Sequence, residues 1–453
     1  MATKPSHGSG HGPASEPQAH ESVSEQIIVR SGSPLEGSVR VAGAKNSALK
    51  LMAATLLAEG AYRLSNMPRI VDVDLMAELL RAVGCSVERD PKDTSALRID
   101  VPARITPVAP YDIVERFRAS VVLLGPMLAR CGEATVALPG GDDFGPRPVD
   151  MHVKGLAELG ARVDVVHGNI EASAPQLLGA RVVLEFPSVG ATENLLMAAV
   201  AAKGRTVIDN AAREPEILDL CRFLQGMGAR VSGVGASTLV IDGSGTTELL
   251  QSTDHAVVPD RIVAATYLAA LGVASGEILV EGARYDHMEL LCAKLTEMGM
   301  IIIGEPEGIR AVAPRRLDSV DCSTLPYPGI ATDCKPFLVT MLATASGVGI
   351  VTENLFPGRF RYVDELRRMG ADIRTDAHHA VVRGVDRLSG APVRAHDIRA
   401  GAALAVAGLG AEGPTVISDA HHVRRGYENL VGDLASLGAD IRIGQADSDR
   451  PGE

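Results

Sequence analysis

Six segments of the chain open on charged or hydroxyl residues and continue as small apolar ones. They read AKNSALKLMAATLLAEG, RASVVLLGPMLARCG, GATENLLMAAVAAKG, DRIVAATYLAALGVASG, TDCKPFLVTMLATASG and DIRAGAALAVAGLGAEG. Their openings hold Lys45 and Asn46, Arg118 and Ser120, Ser188 and Thr192, Asp260 and Arg261, Thr332 and Asp333, and Asp397 and Arg399. Ser, Thr and Asp at such positions are ordinary helix caps. Lys and Arg are not, because the helix dipole opposes a cation at the N-terminus. A helix start also turns unpaired N–H groups toward any anion that approaches it. Cations placed against the dipole therefore point to a bound anion of high charge. Loops add further arginines: Arg147 in PGGDDFGPRPVD, Arg213 in NAAREPEI, Arg359 in FPGRF, and Arg424 with Arg425 in VRRGYEN. Arg147 and Arg425 stand in Gly/Pro-punctuated loops that suit backbone approach to a ligand. Arg213 and Arg424 read equally well as solvated loop arginines.

These residues need elements to hold them, and a repeat supplies them. An apolar stripe, a glycine and a short strand recur as LLRAVGCSVE, LAELGARVDV, LQGMGARVSG, LTEMGMIIIG, LRRMGADIRT and LASLGADIRI. The glycines are Gly84, Gly160, Gly228, Gly299, Gly370 and Gly438, spaced by 76, 68, 71, 71 and 68 residues. Each stands where a helix C-terminus favours a left-handed residue. In the first copy Leu75, Met76, Leu79, Leu80 and Val83 fall on one helical face. A period of roughly 70 residues is too long for a solenoid and fits a small βα folding unit. The six polar-headed segments are apolar nearly all round, which predicts helices buried by the strands of their own units.

Composition narrows the functions. The 453 residues carry 44 Lys+Arg against 56 Asp+Glu, a net charge of −12, which disfavours nucleic acid as a main partner. Trp is absent and aromatics are 3%, so base-stacking platforms are not expected. No run of about twenty apolar residues would span a membrane. Residues 1–24 are rich in Ser, Gly, Pro and His, lack the apolar core of a signal peptide, and read as a disordered tail. Its His7, His11 and His20 read as solvated rather than metal-binding. Six scattered cysteines without a CxxC pair suggest reduced thiols and a cytoplasmic protein. No metal-ligand motif is present, and neither metal nor cofactor is expected.

In these residues the chain resembles the enolpyruvyl transferases, in particular those acting on UDP-N-acetylglucosamine. The resemblance runs from about Ile27 to Ile443 and rests on ten segments in order. They are GAKNSALK, VERFRASVVLLGP, LPGGDDFGPRPVDMH, PSVGATENLL, NAAREPEI, VPDRI, ATD, ENLFPGRF, DIRAG and RRGYENL. It implies an inside-out α/β barrel fold of two domains, each with three βαβαββ-like repeats. One domain would take residues 25–44 plus 258–445 and the other 45–257, leaving 446–453 as a tail. The implied reaction moves enolpyruvyl from phosphoenolpyruvate to the sugar 3-hydroxyl, releasing phosphate, by addition to a tetrahedral ketal and then elimination. This is the first committed step of peptidoglycan synthesis, carried out by a monomer or weak oligomer. Phosphoenolpyruvate carries close to three negative charges, and guanidinium forks suit both its ends. The resemblance places Lys45, Arg147 and Arg425 on the phosphate and Arg359 and Arg399 on the carboxylate, with Asn46 beside them. Asn46, Arg118, the stretch Arg147, Pro148, Val149, Asp150 and Met151, then Ser188, Val189, Gly190 and Leu355 match contacts to the UDP-sugar. Asp333 matches the residue bonded to the attacking hydroxyl and serves as base. Asp142 stands at the proton donor.

The chain departs from that pattern in four places. Asp142 replaces the usual cysteine, which is the thiol attacked by the antibiotic fosfomycin. To donate a proton near neutral pH its pKa must rise by about 3 units, on the order of 4 kcal/mol. Lys45 and Arg147 oppose that rise; loop closure and the substrate's charge favour it. Lys335 stands for a usual glutamine, Ala331 for a proline, and Arg424 for an aspartate. These raise the alternative of a paralogue acting on another nucleotide sugar in secondary metabolism. The shikimate-pathway branch fits poorly, because its GNAGTxxR-type segment is missing. A catalytically silent sugar-nucleotide-binding homologue is disfavoured by the joint presence of Lys45, Asp142, Arg147, Asp333, Arg399 and Arg425.

Overall fold

The computed structural model describes residues 25–138, 149–356 and 358–445. The expected tails, 1–24 and 446–453, lie outside these residues. All six repeat glycines adopt φ between +87° and +111°, which L side chains avoid. Leu75, Met76, Leu79, Leu80 and Val83 are all buried, as the stripe predicts.

Five of the six units follow one local order. A buried helix leads to a strand, a half-buried amphipathic helix, the glycine, and two strands that complete an antiparallel ladder. In the first unit these are Lys45–Ala54, Gly60–Ser65, Val71–Ala82, Ser86–Asp90 and Asp93–Val101. The other buried helices are Leu124–Cys131, Val189–Ala199, Arg261–Ala274, Lys335–Leu342 and Ile398–Leu409. Two of them start late. Arg118–Leu123 and Thr332–Cys334 are 3-10 turns ahead of their helices, so Asp333 and Cys334 lie in a turn rather than in the continuous helix expected. The sixth unit differs because one strand, Asp440–Gln445, follows its glycine among the described residues. The amino-terminal strand Glu25–Arg30 fills the gap, antiparallel to both Thr415–Ser418 and Asp440–Gln445.

In units such as the third and fifth, the strand before the buried helix pairs parallel with the strand after it, as in Arg181–Val183 with Lys203–Asp209 and Cys322–Thr324 with Val348–Glu353. The first and fourth units exchange these strands. Leu35–Arg40 precedes the Lys45 helix yet pairs with Gly276–Glu281. His255–Ala256 precedes the Arg261 helix yet pairs with Gly60–Ser65. The two crossings touch at a Gly43–Pro259 bridge, where a Cβ on Gly43 would lie 1.9 Å from the Asn66 carbonyl oxygen. Only glycine fits there.

Two hydrophobic clusters result. One gathers buried residues from Ala48 to Val257; the other joins Ile27–Val41 to Ile262–Ile441. In the second, the Arg261, Lys335 and Ile398 helices all pack on one another. At the start of the Arg261 helix, Asp260 accepts the Lys45 amide and Arg261 pairs with Glu216 of the first cluster's half. No helix among the described residues is long and apolar enough to cross a membrane.

Candidate active site

The site divides into two ion clusters, each built around one carboxylate. Asp72 lies in the first turn of Val71–Ala82 and is 3% exposed. Lys45 Nζ meets its Oδ2 at 2.7 Å. Arg425 Nε donates to Oδ1 at 2.9 Å and its Nη2 to Oδ2 at 3.4 Å. Lys45 belongs to the first half and Arg425 to the second, so this carboxylate ties the halves together. Burial pushes the Lys45 ammonium below its ordinary pKa; Asp72 resists that, while Arg399 and Arg425 add to it.

Asp333 anchors the second cluster. Arg359 Nη1 donates to its Oδ1 at 2.6 Å, and Arg399 Nε lies 3.7 Å from Oδ2. Both arginines are buried, and Arg399 also packs over the Tyr427 ring at 5.3 Å. Burial alone would raise the Asp333 pKa, but Arg359, Arg399 and Lys45 together hold it well below the usual carboxylate range. Asp333 does not cap its helix; it serves these cations instead. The influence of Lys45 on Asp333, and of Arg399 and Arg425 on Lys45, joins the two clusters into one field.

Helix capping proceeds beside this field. Asp260 Oδ1 accepts from the Ile262 and Val263 amides, and its Oδ2 accepts the Lys45 amide at 3.0 Å. Asp397 caps Arg399 and Ala400, and Ser188 caps Ala191. Arg261 pairs with Glu216 at 3.1 Å. Thus in the described cation–carboxylate pairs the helix-start cations are met by the protein's own carboxylates.

A third group flanks the Lys45 helix. Asn194 Oδ1 accepts the Gly125 amide, so its amide nitrogen must donate to Val121 O at 3.0 Å and to His152 Nδ1 at 2.7 Å. Burial, reinforced by Arg118, lowers His152 to about 4, leaving a neutral ring with its proton on Nε2. That edge faces Gly190, where a Cβ would lie 3.1 Å from Nε2. Burial also pushes the Arg118 guanidinium below its ordinary pKa. Arg118, Ser188, Val189 and Gly190 are thus gathered around His152, with Val149 and Met151 packed half-buried on the first core and Asp150 exposed. Asn46 lies at the first turn of the Lys45 helix, and its carbonyl accepts Lys50 Nζ at 3.2 Å. Leu355 donates its amide to Glu353 at 2.8 Å. Asp142, Arg147 and Pro148 lie outside the described residues.

One of the departures lies on the surface and another is buried behind the Asp333 cluster. Arg424 is exposed and pairs with Glu25 on the surface. Lys335 is fully buried against Glu353. Arg213 donates to the Tyr327 carbonyl at 3.2 Å, a link between halves rather than a solvated arginine. Sequence reasoning missed Asp72, Glu353, Asn194 and His152. The one available signal was an acidic or amide residue inside an otherwise apolar stripe.

The EPSP synthase (3-phosphoshikimate 1-carboxyvinyltransferase) family model matches residues 29–434. UDP-N-acetylglucosamine 1-carboxyvinyltransferase of Nocardia farcinica is 52% identical over 429 residues, 94% of this chain and all of that one. The enzyme of the same name from Mycobacterium tuberculosis is 49% identical over 419 residues, covering 92% and 99%. Among solved structures, the enolpyruvyl transferase NikO from Streptomyces tendae superposes with a TM-score of 0.84 at 27% identity, covering 94% and 100%. An EPSP synthase from Acinetobacter baumannii reaches 0.72 at 19% identity, a likeness of fold alone, covering 93% and 100%. By the family match across most of its length, the chain belongs to the EPSP synthase family of carboxyvinyl (enolpyruvyl) transferases.

Proposed function

We propose that the protein transfers the enolpyruvyl group of phosphoenolpyruvate to the 3-hydroxyl of UDP-N-acetylglucosamine, releasing phosphate, as the first committed step of peptidoglycan synthesis. One observation carries this reading. Two pairs of cations, Lys45 with Arg425 and Arg359 with Arg399, each grip a carboxylate in one shared field. A small ligand with an anionic group at each end matches that arrangement. The substrate phosphate would replace Asp72 on the first pair, joined by Arg147, and its carboxylate would draw Arg359 and Arg399 from Asp333.

That exchange has a chemical consequence. Asp333 is a poor base while two guanidiniums hold its pKa down. Once the substrate carboxylate shares those guanidiniums, the Asp333 carboxylate becomes more basic and can take the hydroxyl proton. The sugar oxygen bonds to the substituted carbon of the enol, and Asp142 delivers a proton to its methylene. The resulting ketal loses a proton from the new methyl group as the carbon–oxygen bond to phosphate breaks. The Arg118, Ser188, Val189 and Gly190 surface would hold the nucleotide sugar, with Leu355 and Asn46. Residues 25–44 with 258–445 form one domain in this reading and 45–257 the other, in keeping with the two cores. A place in the cytoplasm suits the six free cysteines, and the protein would act as a monomer or weak oligomer.

The test is phosphate release from phosphoenolpyruvate that depends on UDP-N-acetylglucosamine. Release only with a different nucleotide sugar would replace the substrate assignment by the paralogue. The surface position of Arg424, and relatives near 50% identity named for UDP-N-acetylglucosamine, favour the first outcome.

A further inference from the structure

Behind the Asp333 cluster lies a buried ion pair. Lys335 Nζ meets Glu353 Oε2 at 3.1 Å, and both side chains are 0% exposed. Lys335 opens the Lys335–Leu342 helix; Glu353 ends the Val348–Glu353 strand. The carboxylate is fully bonded. Its Oε1 accepts from Thr324 Oγ1 at 2.7 Å, the Leu355 amide at 2.8 Å and the Phe356 amide at 3.0 Å. Its Oε2 accepts from Thr332 Oγ1 at 2.8 Å. The ammonium also donates to the Arg359 carbonyl and sits 3.8 Å from the centre of the Phe360 ring.

A buried ion pair adds little net stability, because desolvation of two charges offsets most of their attraction. What it does supply is directed bonds. Here three of the bonds end beside the site. Thr332 precedes Asp333, Leu355 matches a sugar contact, and Arg359 holds Asp333 at 2.6 Å. Lys335 is the member that reaches the Arg359 main chain. Glutamine at this position could make that bond but could not neutralise Glu353.

We propose that Lys335 is a positioning residue: through the Arg359 carbonyl and the Glu353 carboxylate it holds the Arg359 guanidinium where the substrate carboxylate arrives. The inference rests on the reading that Arg359 receives the carboxylate of phosphoenolpyruvate. Lys335→Met keeps an unbranched apolar stem, one bond shorter, and removes both polar bonds. Lys335→Gln keeps a neutral donor one bond shorter. Misplacing one clamp by about an ångström is expected to raise KM for phosphoenolpyruvate about tenfold in Lys335→Met. KM for UDP-N-acetylglucosamine should stay within about twofold, and Lys335→Gln should recover to within about threefold for phosphoenolpyruvate. A role confined to stability would not separate the two substrates, and equal shifts in both KM values, or none, overturn the proposal.

Amide hydrogen exchange gives an arm that needs no turnover. The Arg359 amide donates to Phe356 O and the Phe360 amide to Gly358 O, and both should exchange faster in Lys335→Met. Amides of the Ile398–Leu409 helix serve as the unchanged control. If Lys335→Met does not fold, Lys335→Gln carries this arm, with exchange at Arg359 and Phe360 expected between wild type and open loop. Exchange equal to wild type overturns the proposal. Wild-type protein that releases no phosphate, with exchange responding as expected, refutes the proposed function and leaves the positioning role standing.

Discussion

Asp72 and Asp333 do the same electrostatic task in different ways. Each carboxylate is gripped by two cations, but the Asp333 cations Arg359 and Arg399 come from one half of the molecule. The Asp72 cations come from both, with Lys45 on the first half and Arg425 on the second. The Asp333 clamp is therefore built when its own half folds, whereas the Asp72 clamp exists only when the halves meet. A clamp formed within one half, paired with one assembled from both, makes completion of the field depend on how the halves sit. Asp72 is the internal anion of the second clamp, which an incoming phosphate would displace in the proposed reading.

The largest effect expected from this contrast is on the Asp333 side. Asp333→Asn keeps the shape and a hydrogen-bond acceptor for Arg359 but abolishes the base. Loss of a general base costs about 10²–10⁴-fold in kcat, so a fall of about 10³ in phosphate release is expected. KM for phosphoenolpyruvate should not rise, because Arg359 and Arg399 lose a competing anion. A raised KM with little loss of kcat would make Asp333 a binding residue instead.

On the other side, Asp72→Asn leaves Lys45 and Arg425 without their internal anion. Free protein should lose stability, since removing one partner of a mostly buried ion network strands the others. Added inorganic phosphate should then bind about tenfold tighter than to wild type, a difference of about 1.4 kcal/mol. The measurement is the phosphate dependence of the thermal midpoint in both proteins. Equal phosphate dependence would end the comparison between the clusters, because Asp72 would then not be competing for the site.

What could be read from the sequence follows from how local each feature is. The six buried helices and six glycines were legible because composition and a left-handed φ are properties of short segments. The cation sites at Lys45, Arg359, Arg399 and Arg425 were legible through their helix starts and loops. Asp72 was not: it looks like an ordinary acidic residue of a helix first turn, and its partner Arg425 is 353 residues away. Asn194 joins His152 and Val121 across 42 and 73 residues, and nothing local marks such a pairing. The strand exchange at the two crossings was hidden for the same reason, since Leu35–Arg40 and His255–Ala256 each look like part of the unit they precede.

A smaller effect concerns a carboxylate that neither cluster uses. Glu193 is fully buried near Lys50, whose Nζ lies 3.1 Å away. Burial raises Glu193 to about 7 against the partial relief from Lys50. The folded protein therefore binds more protons here than the unfolded chain between about pH 4.5 and 7. Its contribution is most favourable below that window and is lost as pH rises through it. Glu193→Gln should match wild-type stability near pH 5 and exceed it by about 2 kcal/mol at pH 8. Denaturant midpoints at the two pH values measure the difference. A variant less stable at pH 8 would mean that the Lys50 pair outweighs the desolvation.

The smallest expected effect is none at all: fosfomycin should not inactivate this protein with time. The resemblance assigns that inactivation to a thiol at the proton-donor position, and Asp142 stands there. The six cysteines do not substitute for it. Burial pushes Cys85 up to about 11 and Cys221, Cys292, Cys322 and Cys334 up to about 12. The half-buried Cys131 is raised as well. At neutral pH almost none of these is thiolate, which is the nucleophilic form. Cys334 is the instructive case, because it adjoins Asp333 in sequence and feels Arg399, yet its sulfur is buried and protonated. A carboxylic acid at position 142 is a weak nucleophile, and in the proposed reaction it works in its protonated state, which removes even that. Asp142→Cys should restore time-dependent loss of phosphate release, with a single adduct by mass spectrometry. Covalent inactivation of the unaltered protein would show that one of the buried thiols reaches the site, and the labelled peptide would say which.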